Sequence, residues 1–233
     1  MAAPPGDRGD DARLVRLEVA DPPEAWEAAG FTVTDGVALV GATEMALGHP
    51  ADAATGGGIR RWSISGLDVH GGGLDGLPTD VADPSPTMGA EPVAHRSGVT
   101  AIDHVVVTTP DLDRTIAALG AAGLGCRRVR EAGTPDAPLR QAFFRLGPVV
   151  LEVVGGAPPS GDGAGGPSAA DAPATWWGLA LDVDDLDLAA ARLGAGLGPI
   201  KAAVQPGRRI ATVRDRNFGM SVAVALMDRR GDR

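Results

Sequence analysis

The alternation of apolar and polar residues repeats once along the second half of the chain. The segment HVVVTTPDLDRTIAALGA, beginning at His104, aligns with GLALDVDDLDLAAARLGA, beginning at Gly178, and seven of the eleven positions from Asp111 onward are identical. In each copy an apolar run typical of a strand is followed by an aspartate and then by apolar residues at helical spacing. Asp111 and Asp185 stand where a helix N-cap is expected. The pattern therefore predicts a repeated strand and capped helix.

Three short apolar segments follow each predicted helix, and each segment predicts a further strand. They lie at 126–131, 140–146 and 149–154 in the first copy and at 200–205, 209–214 and 222–227 in the second. Residues 99–155 (module A) and residues 175–228 (module B) are thus predicted to be βαβββ units. One such unit cannot cover both faces of its sheet, so two copies should pair. The predicted fold class is α+β, with paired βαβββ modules forming a curved mixed sheet around a cup.

The rest of the chain divides into segments rich in Gly, Pro, Asp and Ser and one patterned segment. The segments rich in Gly, Pro, Asp and Ser predict a disordered start at 1–12, a linker at 67–98 and a flexible linker at 156–174. Residues 13–66 show a strand, a turn and a short helix, and their VALVGATEMALG parallels FFRLGPVVLEVVG of module A. This stretch is predicted to be a degenerate third βαβββ-like module.

Composition and charge argue against several kinds of binding partner and structural feature. The formal net charge is −9, and no run of Lys and Arg interleaved with aromatic residues could follow a phosphate backbone, which argues against nucleic acid. No apolar stretch approaches the roughly 20 residues that a membrane span needs, and no leader pattern opens the chain, so a cytoplasmic location is expected. Cys126 is the single cysteine, which excludes an intramolecular disulfide and thiolate metal clusters.

Three phrases carry a resemblance to a known family. AIDHVVVTTPDLDRT, then FFRLGPVVLEVVG, then GLALDVDDLD resemble the vicinal oxygen chelate superfamily, also called the glyoxalase/bleomycin resistance/dioxygenase proteins. The resemblance covers roughly the 130 residues of modules A and B and implies the paired-module fold. It does not specify a reaction, because the family contains isomerases, epimerases, dioxygenases, thiol transferases and metal-free binding proteins.

The resemblance also implies positions for metal ligands, one on the first strand and one on the last strand of each module. In module A these positions hold His104 and Glu152, whereas in module B they hold Gly178 and Ala223, so the metal site is incomplete. The cofactor is then a divalent metal (Fe, Mn, Zn or Ni) or none at all. A catalytic zinc site usually has three protein ligands. A missing donor could come from Asp103, Asp182, His95 or a second copy of the chain in a homodimer.

The residues themselves leave the chemistry of the two donors open. Glu152 lies in the apolar run PVVLEVV, and a buried carboxylate needs a cation, either a metal or an arginine. His104 could equally be a hydrogen-bonded core histidine. If a metal is bound, Glu152 could also act as the catalytic proton-transferring base. The candidate arginines for Glu152 are Arg128, Arg140 and Arg145.

Three further residues are candidates for binding a substrate. Gln141 lies on a central strand of module A, Arg208 follows the turn of a hairpin, and Trp177 opens module B. An arginine in a hairpin is more often merely an exposed charge, and a tryptophan in a strand is more often ordinary core packing.

These patterns support a ranked set of functions. The first is a glyoxalase-like protein that binds a small organic molecule in the cup between modules, as a metal-assisted lyase, isomerase or dioxygenase using His104 and Glu152. The alternatives are a metal-free small-molecule binding or drug-sequestering protein and a non-catalytic interaction module.

Overall fold

The computed structural model describes residues 11–50, 58–69, 73–83, 91–134, 137–156 and 171–229, and these contain helices and strands in the predicted alternation. The predicted start at 1–12 and the linker at 156–174 fall largely outside the described residues. The helices are α1 (Pro23–Ala28), α2 (Leu112–Ala121) and α3 (Leu186–Leu193). The strands are β1 (Arg13–Val19), β2 (Val37–Val40), β3 (Thr43–Ala46), β4 (Ile59–Ser65), β5 (Gly73–Leu74), β6 (Leu77–Val81), β7 (Val99–Thr109), β8 (Arg128–Thr134), β9 (Ala137–Leu146), β10 (Val149–Gly156), β11 (Thr175–Val183), β12 (Lys201–Ala202), β13 (Arg209–Thr212) and β14 (Ala223–Asp228).

The strands form two mixed sheets, which confirms the predicted α+β class with paired modules. The larger sheet has the order β12-β13-β14-β11-β7-β10-β9-β8, so each module places its first strand beside its last. In module B these two strands are parallel, and Gly178 lies directly opposite Ala223. The register therefore places the two ligand positions implied by the resemblance side by side.

The two helices of the modules begin as the aspartates predict. The carboxylate of Asp111 accepts the backbone N–H of Arg114 at 2.9 Å, and that of Asp185 accepts the N–H of Leu188 at 2.9 Å. Each cap satisfies a donor that has no partner within the helix. Among the residues that the structure covers, no helix is long and apolar enough to cross a membrane.

The N-terminal region departs from the prediction of one degenerate module followed by a linker. Its sheet has the order β2-β3-β1-β4-β6-β5, in which β1 is parallel to β3 and β3 is antiparallel to β2. The order β4-β6-β5 mirrors β1-β3-β2, so this region contains two shortened units. In the second, the described residues between β4 and β5 contain no helix. The segment 67–98 is therefore not only a linker, because it contains β5 and β6.

The sequence carries one signal for this second unit, an Asp-Gly pair at a hairpin turn. Asp75 and Gly76 form the turn between β5 and β6 with φ of 48° and 87°, and an Asp-Gly pair is a strong signal for a two-residue hairpin. The flanking strands are two and five residues long, too short for the periodicity to reveal.

The chain divides into two compact units built from interleaved segments. The first comprises Met1–Leu14, Ser63–Pro84 and Val105–Trp177, and the second comprises Val15–Trp62, Ser85–His104 and Gly178–Arg233. Four of the five boundaries fall within strands, namely β1, β4, β7 and β11.

In the first unit, β9 and β10 have two different faces. Phe144, Leu151 and Val153 are fully buried on the face that packs against α2. Gly155 allows this packing, because a Cβ there would lie 2.8 Å from the Cβ of Leu112. The opposite face is only half-buried, so polar side chains can remain there without full desolvation.

In the second unit, a buried carboxylate connects residues that are far apart in sequence. Asp21 accepts the indole N–H of Trp26 at 3.2 Å and the backbone N–H of Ser221 at 2.8 Å. The hydroxyl of Ser221 also donates to it. Asp21 is 3% exposed, and these donors satisfy a charge that would otherwise be costly to bury.

His95 is a second buried polar group of this unit. Its Nδ1 accepts the N–H of Thr32 at 3.0 Å, so its Nε2 carries the proton and donates to the carbonyl of Leu39 at 3.0 Å. Burial lowers the pKa of His95, opposed by the hydrogen bond to Leu39. The neutral ring thus ties the segment before β7 to β2.

Candidate functional site

The half-buried face of module A carries a row of polar side chains. Arg130 on β8 lies opposite Gln141 on β9, and Glu152 on β10 lies opposite Phe143 on β9. Cross-strand partners project to the same side of a sheet, so these four side chains share one face. Together with Arg128, which also lies opposite Phe143, they are called the open face below.

A chain of hydrogen bonds runs across the open face. Arg130 donates from Nε to Oε1 of Gln141 at 2.9 Å and donates a second bond from Nη2. Gln141 in turn donates from Nε2 to Oε1 of Glu152 at 2.5 Å. The amide therefore has one orientation, with its oxygen toward a cation and its nitrogen toward an anion. Gln141 connects opposite charges on β8 and β10, the two strands that flank β9.

Phe143 forms the apolar part of the open face. The guanidinium carbons of Arg128 and Arg130 lie 5.5 and 5.7 Å from the centre of its ring. Both distances are within the range of a cation–π interaction. The face therefore offers two cations, an aromatic surface, an amide and a carboxylate.

His104 lies in the second unit, where it takes part in a hydrogen-bonded cluster. Its Nδ1 lies 2.6 Å from Oδ2 of Asp103, whose Oδ1 accepts Nη1 of Arg208 at 2.8 Å. Arg208 also donates to Asp182 and, from Nε, to the backbone carbonyl of Asp228 at 2.6 Å. A single guanidinium thus joins two carboxylates and a carbonyl.

The residues around Asp103 determine its protonation state. Burial raises the pKa of Asp103, but hydrogen bonds from His104 and Arg208 outweigh it and bring the pKa down to about 2. Asp103 is therefore ionised at neutral pH and can only accept hydrogen bonds. It follows that Nδ1 of His104 carries a proton and donates it to Asp103.

The residues present do not fit the metal site that the resemblance implies. No group of three or more His, Cys, Asp or Glu suited to a metal ion occurs among the described residues. In module B, a Cβ at Gly178 would lie 2.2 Å from the carbonyl oxygen of Ala223, so the backbone leaves no room for a side chain there.

The donors considered as substitutes have other roles in the structure. Asp103 and Asp182 are hydrogen-bonded to Arg208, and His95 uses both ring nitrogens on backbone groups. A homodimer that supplies a donor stays a prediction.

The sequence-predicted site residues have the following contacts within each unit. Gln141 contacts Glu152 in the first unit, and in the second unit Arg208 and His104 both contact Asp103. Arg208 is 7% exposed, which corrects the interpretation of a merely exposed hairpin charge. Trp177 is 60% exposed and is not core packing.

The arginines considered as partners of Glu152 have other contacts. Arg140 pairs with Asp113 at 3.0 Å, and Arg128 lies over Phe143. The polar contact from Gln141 to Glu152 was missed, although alternation along β9 and β10 would have placed both on one face.

Comparisons with known proteins agree with this architecture. Residues 103–212 match the model of the Glyoxalase/Bleomycin resistance protein/Dioxygenase superfamily. No curated protein matches the chain significantly in sequence.

Two solved structures share the fold over almost the whole chain. A triple mutant of 4-hydroxymandelate synthase from Streptomyces coelicolor is similar with a TM-score of 0.62 at 15% identity, over 95% of this chain and 93% of that one. A xylose isomerase-like TIM barrel/4-hydroxyphenylpyruvate dioxygenase fusion protein gives 0.64 at 12% identity, over 99% of this chain and 50% of that one. Both are similar in fold. Residues 103–212 are thus similar in sequence to the glyoxalase/bleomycin resistance protein/dioxygenase superfamily, and the two solved structures show the fold of almost the whole chain.

Proposed function

We propose that the protein binds a small organic molecule on the open face of module A without needing a divalent metal. The observation that carries the proposal is the hydrogen-bonded chain from Arg130 through Gln141 to Glu152 on a half-buried face. Ligand sites combine apolar surface with a few polar groups in fixed orientations, and Phe143 with Gln141 supplies that combination.

The backbone of module B supports the proposal that no metal is needed. The positions that would complete a metal site hold Gly178 and Ala223, and Gly178 has no space for a larger residue. With only His104 and Glu152 remaining of the four positions, a metal would have to take most of its ligands from solvent, which gives weak binding.

A thermal-shift screen of organic molecules, run with and without EDTA, tests the proposal. A ligand that binds the native state raises the melting temperature, and the same rise should occur with and without the chelator. Glu152→Gln should change the shift, because it removes a negative charge from the open face. Glu131→Gln is the matched control, because Glu131 lies on the opposite face of β8 and its side chain is 78% exposed. Ligands that stabilise only with added metal would contradict the proposal.

A metal-assisted lyase, isomerase or dioxygenase using His104 and Glu152 is the second candidate. One observation favours it: Nδ1 of His104 is held by Asp103, and histidines that bind metals usually donate their other ring N–H to a carboxylate. Metal analysis of protein purified without chelators separates the two candidates. Stoichiometric metal that is lost in both His104→Ala and Glu152→Ala would replace the first proposal with the second.

Assembly and location stay predictions from the sequence. We propose a homodimer in the cytoplasm that does not bind nucleic acid, given the net charge of −9. Size-exclusion chromatography with light scattering measures the assembly, and a monomeric mass would remove the homodimer and any site that needs a second copy.

A further inference from the structure

Two arginines lie close together on the open face without an ion pair. Within the described segments, Arg128 and Arg130 have no carboxylate at salt-bridge distance, although the chain carries a net charge of −9. Several other arginines do have such a partner, as in these contacts: Arg16 with Glu44, Arg114 with Asp75, Arg140 with Asp113, Arg208 with Asp103 and Arg209 with Asp228. Two positive charges therefore lie side by side on the open face, and Glu152 is connected to Arg130 through Gln141.

The position of the two guanidinium groups has an electrostatic consequence. Arg128 and Arg130 are two residues apart on β8, so they project to the same side, and both approach the ring of Phe143. The negative face of the ring attracts each cation, but the two cations repel each other. An anion bound between them would remove this repulsion.

We infer that Arg128 and Arg130 form a binding site for the carboxylate of a small organic acid whose apolar body lies against Phe143. The inference rests on the proposed function and names its ligand class. Arg130 uses Nε and Nη2 on Gln141, which leaves Nη1 toward a ligand, while Arg128 has only the ring contact within the described segments. A guanidinium presents paired donors that match a carboxylate in geometry.

The remaining residues of the face restrict the ligand further. Leu139 lies on the same side of β9 as Gln141 and Phe143 and is 38% exposed, so it extends the apolar surface. Glu152 lies beyond Gln141 and would repel a second negative group. The site therefore favours a monocarboxylic acid with an apolar or aromatic body over a dicarboxylate or a phosphate ester.

Titration with phenylacetate, followed by NMR of the arginine Nε–H groups and by calorimetry, tests the inference. Phenylacetamide has nearly the same shape without the charge, and succinate adds a second carboxylate. We expect phenylacetate to shift the signals of Arg128 and Arg130, and both other compounds to bind about tenfold more weakly or worse. Added salt should weaken the binding of phenylacetate.

Variants assign the effect to the two side chains. Arg128→Gln and the double variant with Arg130→Gln should weaken phenylacetate binding by about tenfold or more, and Arg128→Lys by less. Arg216→Gln is the control, because Arg216 is exposed, lies outside the open face and changes the net charge equally. Arg128 is itself exposed, so its single variant should fold normally, which its melting temperature checks.

The outcomes separate this inference from the proposed function. Absence of phenylacetate binding, equal binding of phenylacetamide, or unchanged binding by the Arg128→Gln variant would overturn the carboxylate site. Neutral molecules could still bind the open face in the thermal-shift screen, and the proposed function would then stand alone. Loss of all ligands from that screen would remove both.

Discussion

Modules A and B share one order of elements but use their polar residues differently. Module A keeps Gln141 and Glu152 on a half-buried face, joined by one hydrogen bond. Module B instead has Gly178 and Ala223 at the implied ligand positions, and its buried Arg208 donates to three oxygen acceptors. The same repeat thus has a half-buried polar surface in one copy, whereas the other contributes Arg208 to buried ion pairs, one of them with Asp103 of module A. The ion pairs of Arg208 stabilise the fold, and the polar row on β8 to β10 is the site proposed for a ligand.

The largest expected effect comes from Arg208→Met compared with Gln141→Met. Loss of Arg208 leaves the carboxylates of Asp103 and Asp182 without their cation in a buried setting, and should lower the free energy of unfolding by about 3 kcal/mol or more. Gln141→Met removes hydrogen bonds on a half-buried face and should cost about 1 kcal/mol. Urea unfolding measures both, and equal losses would contradict the contrast between modules.

The next effect concerns the close approach of two strands in module B. Gly178→Ala forces apart β11 and β14, because its Cβ would meet the carbonyl of Ala223, and should cost about 2 kcal/mol. Gly120→Ala in α2 is the control, because its Cβ would meet nothing within 4 Å and alanine favours helix. It should stabilise by about 0.5 kcal/mol. If Gly178→Ala were neutral, position 178 could accept a metal ligand after all.

A smaller effect should appear on acidification of the second unit. The pKa of His95 is lowered by burial from 6.5, so below that pH the unfolded chain binds more protons than the folded one. The free energy of unfolding should therefore decrease as the pH falls below 6.5, and His95→Gln should flatten this dependence. The pKa of Asp103 is lowered from 3.8 to about 2. Its contribution to the free energy of unfolding is therefore complete above pH 3.8 and is lost only as the pH approaches 2. Unfolding curves between pH 7 and 5 measure the first effect without the second. An identical pH dependence in the variant would contradict the assignment to His95.

The smallest effect on stability is expected for Glu152→Gln. The side chain is half-buried and the amide can still accept the hydrogen bond from Gln141, so the free energy of unfolding should change by less than about 0.5 kcal/mol. Urea unfolding checks this value beside that of Glu131→Gln. A large loss would mean that Glu152 is as structural as Arg208 and that the two modules differ less than proposed.

Local features of the fold were predictable from sequence, and distant ones were not. The caps at Asp111 and Asp185 depend on donors three residues away, so the pattern suffices. The pairing of Asp103 with Arg208 joins residues 105 positions apart, and nothing in the sequence specifies that partner. The incomplete metal site was implied by the family resemblance, which placed Gly178 and Ala223 at ligand positions. The close contact between Gly178 and Ala223 hinders restoration of that site, and it could be identified only from the register of the two strands.

The interleaved composition of the second unit affects how the chain can fold during synthesis. The carboxylate of Asp21 receives its donors from Ser221, which is separated from it by 200 positions. At roughly 5 to 20 residues per second, the ribosome delivers that partner about ten seconds or more after Asp21. Until then the first strands of the unit lack the hydrogen-bond donors for Asp21 and the strands of the same unit that lie after Gly178. During this time the incomplete unit is prone to aggregation, because its last strand has not yet been synthesised.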